Sequence, residues 1–277
     1  MNNIIFVEGL PGSGKSTFAK KIKTELEKQK VKVELYNEGD LHPIDLAWCS
    51  IVEKTKFQQL LNKYSKYRSQ ILSKSKEMDN KIITAYTQVR VEDQDVAFYR
   101  EFEKYEIYKE DDYDNFKNTH LQLWQNLASV SDDSLVYIFE CIFLQNHINE
   151  LILKFNLSVQ DIIEYFIELS SQVKSMNPLL IYIKQCDVDN TMNRIIEERR
   201  SNNPVYKDWI VNVYEYFQAT KFGEKLGYIG EEGALNYFKD RQAIELQVIP
   251  KIPIKSEIIE LEDNYDEVFE KIKAVIK

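Results

Sequence analysis

The chain has 277 residues, with Lys+Arg 36 against Asp+Glu 45 for a formal net charge of −9, and it is 44% hydrophobic and 29% charged. This balance fits a chain with an ample apolar core and sets disorder aside, while the acidic excess repels polyanions and leaves nucleic acid an unexpected partner. No apolar run approaches the roughly 20 residues a bilayer span needs, and no basic leader precedes the first one, so a cytoplasmic protein built on one core is expected.

Cys49, Cys141 and Cys186 have no paired spacing for metal or redox work and read as buried thiols. His42, His120 and His147 are scattered in sequence and read as surface or internally satisfied histidines.

In chain order, the β-branched and aromatic run at 3–7 predicts a buried parallel strand. Phe18, Ile22 and Leu26 recur at helical spacing after it, and "VKVELYN" (31–37) predicts a second strand, closing a βαβ unit. From 42 to 131 the pattern turns helical, with Phe57, Leu60, Leu61 and Tyr64 as core positions, and "KIITAYTQVRV" (81–91) left open as a strand or an extended arm. After the polar turn "SDD", strands are predicted at 134–141, 178–185 and 256–263. Between and after them helices are predicted at 158–176, opened by Ser158 and Asp161 at capping-box spacing, at 187–200, and at 264–277 with Val268 and Ile272 on its apolar face. The expected fold is therefore α/β. It comprises a five-stranded parallel sheet flanked by helices, made from 1–41 and 132–277, with a mainly helical insertion at 42–131.

Between the first strand and first helix stands "GLPGSGKS", Gly9 to Ser16, which fits the eight-residue phosphate-loop pattern. Gly9, Gly12 and Gly14 let the backbone turn, with Pro11 and Ser13 between them, so that N–H groups face a phosphate at the positive end of the helix. Lys15 reaches the β- and γ-phosphates, Ser16 supplies a hydroxyl to Mg2+, and Thr17 follows. ATP is the expected nucleotide, with GTP left open. The Asp-x-x-Gly and Asn-Lys-x-Asp elements of a GTPase are missing, as is the LSGGQ signature of transporter ATPases.

Ligands of open α/β sheets bind at the carboxyl ends of the strands. Glu38 and Asp40 follow the second strand, and Glu140 ends the strand at 134–139. A solvated or capping role is the other reading for Glu38 and Asp40, whereas Glu140 sits among Phe139, Cys141 and Ile142, where an idle carboxylate is costly.

The order of phosphate loop, acidic strand ends and "LLIYIKQCDVDNTMNRIIEERR" resembles the nucleoside and nucleotide kinase group that includes thymidylate kinase. The resemblance implies a lid around 187–204 whose Arg194, Arg199 and Arg200 neutralise the transferring phosphoryl group. It also implies Glu38, with Asp40 as rival, as the group that takes the proton of the attacking hydroxyl; Glu140, at the end of its strand, is expected to organise Mg2+ beside Ser16. The chain departs from the group after the third strand: Glu140-Cys141-Ile142 stands where Glu-Arg-Ser or Asp-Arg-Tyr belongs, so the acceptor is not fixed.

The insertion is the expected acceptor-binding part. Its candidates are Trp48, Arg68, Tyr86 and Arg90, suited by stacking and guanidinium forks to a planar or anionic ligand, with plain packing as the other reading. Gln145 and Asn146 either contact the acceptor or cap the next helix. The sequence thus points to an ATP- and Mg2+-dependent phosphotransferase with a small-molecule acceptor, and a homodimer is compatible with it. An antibiotic-modifying kinase and a nucleotide-dependent switch ATPase with a protein partner are the alternatives.

Overall fold

Ile4–Gly9 has no polar side to turn to water beyond one glutamate, and it forms β1, a strand buried on both faces. The computed structural model describes residues 2–78, 80–109, 112–130, 132, 134–262 and 264–276. Ser131, Asp133, Asp263 and Lys277, from the predicted turn, last strand and last helix, lie outside these residues. After β1 come α1 (Lys15–Lys28), β2 (Lys32–Tyr36), β3 (Ser50–Glu53), α2 (Lys54–Lys63), α3 (Arg68–Ser73), β4 (Ser75–Met78), β5 (Lys81–Thr84), α4 (Ala97–Glu103) and α5 (Tyr113–Val130). They are followed by β6 (Leu135–Glu140), α6 (Gln145–Leu153), α7 (Val159–Ser171), β7 (Leu179–Lys184), α8 (Val188–Glu198), α9 (Trp209–Ala219), α10 (Gly230–Val248), β8 (Lys255–Glu260) and α11 (Tyr265–Val275).

The chain divides into two units, Met1–Asn37 with Trp124–Lys277, and Glu38–Leu123. The first is a P-loop α/β fold. Its five-stranded sheet runs β2-β6-β1-β7-β8 with every neighbouring pair parallel, so β1 is the middle strand. The register sets Val7 against Glu140 and Gly9 against Ile183. On one face Phe18, Ile22 and Leu26 of α1 and Val268 and Ile272 of α11 bury the alternate residues Ile5, Val7, Ile138 and Ile181. On the other, Phe6 stacks on Trp124 at 5.3 Å and on Phe143 at 4.6 Å. The capping box forms as expected: Ser158 accepts from the Asp161 N–H, and the Asp161 carboxylate accepts from the Ser158 N–H.

The second unit is mainly helical, and it also holds a three-stranded antiparallel sheet, β3-β5-β4, which decides the open segment in favour of a strand at its start. Phe57, Leu60, Leu61, Tyr86, Phe98 and Phe102 make its core. Tyr86 donates to Glu106 at 2.6 Å, and Tyr108 donates to Asp45 at 2.5 Å while lying 3.2 Å from His120 Nε2. All three histidines are buried rather than on the surface, because each belongs to a packed segment: His120 Nδ1 lies 2.8 Å from the Phe116 carbonyl, and His147 Nδ1 2.5 Å from the Tyr165 hydroxyl. Of the cysteines, Cys49 and Cys141 are buried as expected and Cys186 is exposed, since it lies one residue past the buried Gln185 in the turn after β7. Burial pushes the Cys49 thiol up to about 12, which keeps it protonated and unreactive.

Candidate functional site

The loop between β1 and α1 is wedged tightly enough that its glycines are obligatory. A Cβ on Gly9 would stand 2.4 Å from the Ile183 carbonyl oxygen, and one on Gly12, at φ +78°, would stand 2.5 Å from Ile195 Cγ1. Gly14 is the N-cap of α1, and the helix that starts at Lys15 aims its free N–H groups into the loop. Pro11 is gripped through its carbonyl by Gln185 Nε2 at 2.7 Å. Gln185 is fixed in turn: its backbone N–H donates to Gln242 Oε1 at 3.1 Å, and its carbonyl accepts from Gln242 Nε2 at 3.1 Å. Ser13 is fully buried and its hydroxyl oxygen makes no hydrogen bond, while Thr17 is exposed on the first turn of α1.

Lys15 is folded back on the loop. Its ammonium donates to the carbonyls of Gly9 and Leu10, both at 2.9 Å, so the residue is 6% exposed and satisfied without a ligand. At the next residue, the Ser16 hydroxyl donates to Glu140 Oε1 at 3.0 Å. Glu140 is buried at the end of β6 and also accepts from the Cys141 thiol at 3.1 Å. Cys141 holds φ +71°, a left-handed conformation uncommon for a side chain with a Cβ, where the chain breaks from the strand.

Beneath the loop lies a buried polar layer that the sequence reading passed over. Glu8, fully buried, accepts from the backbone N–H of Phe143 at 2.6 Å and of Gln145 at 3.3 Å. Burial raises its carboxyl to about 8, opposed by the Phe143 N–H and the Lys15 charge and reinforced by Glu245. Arg241 of α10, 2% exposed, pairs with Glu245 at 3.2 Å, and Glu245 accepts from the Tyr182 hydroxyl at 2.5 Å. The Arg241 Nη2 reaches Gln145 Oε1 at 3.4 Å and the Gly9 carbonyl at 3.5 Å. Burial is the strongest influence and disfavours the guanidinium charge, but Glu245, Tyr237, Tyr182 and Cys141 together outweigh it and hold the group above its ordinary value. Within "VEGLPGSGKST" the signal for Glu8 was present, a carboxylate inside an apolar strand.

The remaining candidates fall as follows. Gln145 is the first residue of α6, buried, and joined to the loop layer through Glu8 and Arg241. Asn146 beside it is buried as well. Glu38 is exposed and Asp40 half-buried in the segment after β2, within the unit Glu38–Leu123. Arg194 within α8 and Arg199 and Arg200 just past its end are exposed: Arg194 lies 4.0 Å from Glu198, Arg199 stacks on Trp209 with its guanidinium carbon 4.8 Å from the ring centroid, and Arg200 donates to Glu197 at 2.8 Å. Trp48 is 41% exposed at φ +60°, Arg68 and Arg90 are exposed, and Tyr86 is a core residue with its hydroxyl committed to Glu106.

The oxygen pair of Ser16 and Glu140 suits a hard divalent cation such as Mg2+, and the loop N–H groups with Lys15 suit a polyphosphate. Among the described residues no helix is long and apolar enough to cross a membrane.

Comparison with known proteins gives a partial family match and a slight structural likeness. Residues 1–77 match a family described as "Chromatin associated protein KTI12". No curated protein matches the chain. A solved thymidylate kinase from Candida albicans aligns over 99% of this chain and 91% of its own, at 15% identity and a TM-score of 0.39, a likeness too slight to bear on substrate.

Proposed function

We propose that the chain is an ATP- and Mg2+-dependent phosphotransferase acting on a hydroxyl or phosphate of a small molecule. The observation that carries this reading is the loop itself: a glycine-wedged turn at the end of the middle strand, with Lys15 folded on its carbonyls and Ser16 on the Glu140 carboxylate. An ammonium held only by carbonyl oxygens exchanges them readily for phosphate oxygens, which carry full charge. Lys15 then neutralises the β- and γ-phosphates while the α1 N–H groups hold them. Mg2+, when held by Ser16 and Glu140, supplies charge neutralisation across the phosphates. Glu38 or Asp40 orients or deprotonates the acceptor, and Arg194, Arg199 and Arg200, freed from their surface partners, would cover the transferring group. Trp48 and Arg90 in the insertion and Gln145 beside the loop are the proposed acceptor contacts, whereas Tyr86, a core residue bonded to Glu106, is not kept among them.

The test is γ-labelled ATP with Mg2+ and the purified chain against pooled nucleosides, nucleoside monophosphates and hydroxylated antibiotics, with product scored by mass. A labelled acceptor in one pool supports the reading; ATP binding with no product in any pool defeats it. A second reading, a P-loop ATPase whose nucleotide state governs a protein partner, draws on the match of residues 1–77 to a family described as chromatin associated. It expects slow acceptor-free hydrolysis and a partner whose affinity differs between ATP and ADP.

A further inference from the structure

Two cations converge on one carbonyl. The Gly9 oxygen accepts from Lys15 Nζ at 2.9 Å, and Arg241 Nη2 stands behind it at 3.5 Å, a contact too long to be a good hydrogen bond while Lys15 is in place. The guanidinium is not there by accident of packing. Glu245 holds its other edge at 3.2 Å, Tyr182 holds Glu245, and the guanidinium carbon lies 5.7 Å from the Phe238 ring centroid. A charged side chain is kept fully buried only where partners hold it; here Glu245 stands at ion-pair distance without a hydrogen bond to Nε, and Nη2 has two long contacts, Gln145 Oε1 at 3.4 Å and the Gly9 carbonyl at 3.5 Å, so the guanidinium keeps capacity for a closer bond to the loop.

We infer that Arg241 is a positioning residue for the phosphate loop, taking over the Gly9 carbonyl when Lys15 leaves it for the nucleotide. This rests on the reading of the loop as an ATP site. Gly9 cannot move away to find another partner, because it is a buried residue pressed against the Ile183 carbonyl. Without Arg241 the ligand-bound state leaves the Gly9 oxygen unpaired, whereas the free state, with Lys15 folded back, does not. Arg241 therefore favours the bound state without touching the nucleotide.

The experiment is a double-variant cycle on the full chain, with Mg-ATP affinity read by calorimetric titration in the wild type, Arg241→Gln, Lys15→Met and both together. Arg241→Gln is expected to weaken ATP binding about tenfold when Lys15 is present, the size of one charge-assisted hydrogen bond. With Lys15→Met there is no hand-over, and the same change is expected to have almost no further effect. An equal loss in both backgrounds, or no loss in the first, overturns the inference and leaves Arg241 a plain structural residue. If Arg241→Gln does not fold, Arg241→Lys serves in its place: it keeps the charge without the fork, and its loss must again depend on Lys15. A wild type that binds no ATP overturns the phosphotransferase reading and this inference together, while ATP binding with additive variants overturns this inference alone.

Discussion

The Ser16 hydroxyl donates to the Glu140 carboxylate at 3.0 Å, joining the first turn of α1 to the end of β6. Both oxygens are hard donors on different elements, so a cation between them ties helix to sheet. Ser16→Ala and Glu140→Gln are each expected to reduce Mg2+-supported ATP affinity by about 10- to 100-fold. Titration with and without a chelator checks this: the chelator should weaken binding strongly in the wild type and little in either variant.

Lys15→Ala tests the loop under any nucleotide-binding reading, whereas Glu38→Gln and Asp40→Asn test transfer. One of the two latter changes is expected to lower turnover by about 100- to 10,000-fold, the range for a lost general base, with ATP affinity unchanged. Parallel measurement of labelled product and nucleotide binding separates base from bystander. Equal, small effects from both changes would remove the pair from the mechanism.

Gly12 sets the loop against α8. With φ +78° and Ile195 Cγ1 only 2.5 Å from where a Cβ would be, Gly12→Ala carries backbone strain of about 1–2 kcal/mol and a clash besides. The expected result is weakened ATP binding together with a lower melting temperature. Adding Ile195→Ala removes the clashing atoms and should recover part of the binding, but not the part due to backbone conformation.

Glu8 gives the fold a dependence on pH. Its carboxyl is raised from 4.5 to about 8 in the folded chain, chiefly by burial. Below 4.5 both folded and unfolded states are protonated; between 4.5 and about 8 the folded state keeps a proton that the unfolded state has lost. Stability therefore falls as pH rises through that window, by an amount on the order of a few kcal/mol, and levels off above it. Denaturant melts from pH 5 to 9 should show this slope in the wild type and a flatter profile in Glu8→Gln, whose amide oxygen can still accept the Phe143 N–H.

The sheet was legible because its strands are apolar runs and its loop is a motif: "IIFV", "LVYIF" and "LLIYI" can hardly be anything but buried. The polar layer under the loop was not legible for a related reason. α10 buries Ala234, Tyr237, Phe238, Arg241, Gln242, Glu245 and Val248, which recur at helical spacing, but three of the seven are polar, so the stripe does not stand out as hydrophobic. Only their mutual pairing makes burial affordable, and pairing between Tyr182 and Glu245, far apart in sequence, leaves no local trace. Of the sheet β3-β5-β4, β5 falls in the segment left open as a strand, whereas β3 and β4 escaped because four residues are too few to display alternation.

The middle strand ends in the loop, and the strands on either side of it each send one grip to that loop, Glu140 from β6 and Gln185 from just beyond β7. The geometry of the loop and the integrity of the sheet are therefore a single thermodynamic unit. A ligand seated in the loop shares its binding energy with all three strands, so that at a hundredfold excess over its dissociation constant it would stabilise the sheet-bearing unit by about 2.7 kcal/mol. In hydrogen exchange, the amides of β1, β6 and β7 would slow together when nucleotide is added, and their common response would map the ligand's footprint far beyond the atoms it touches.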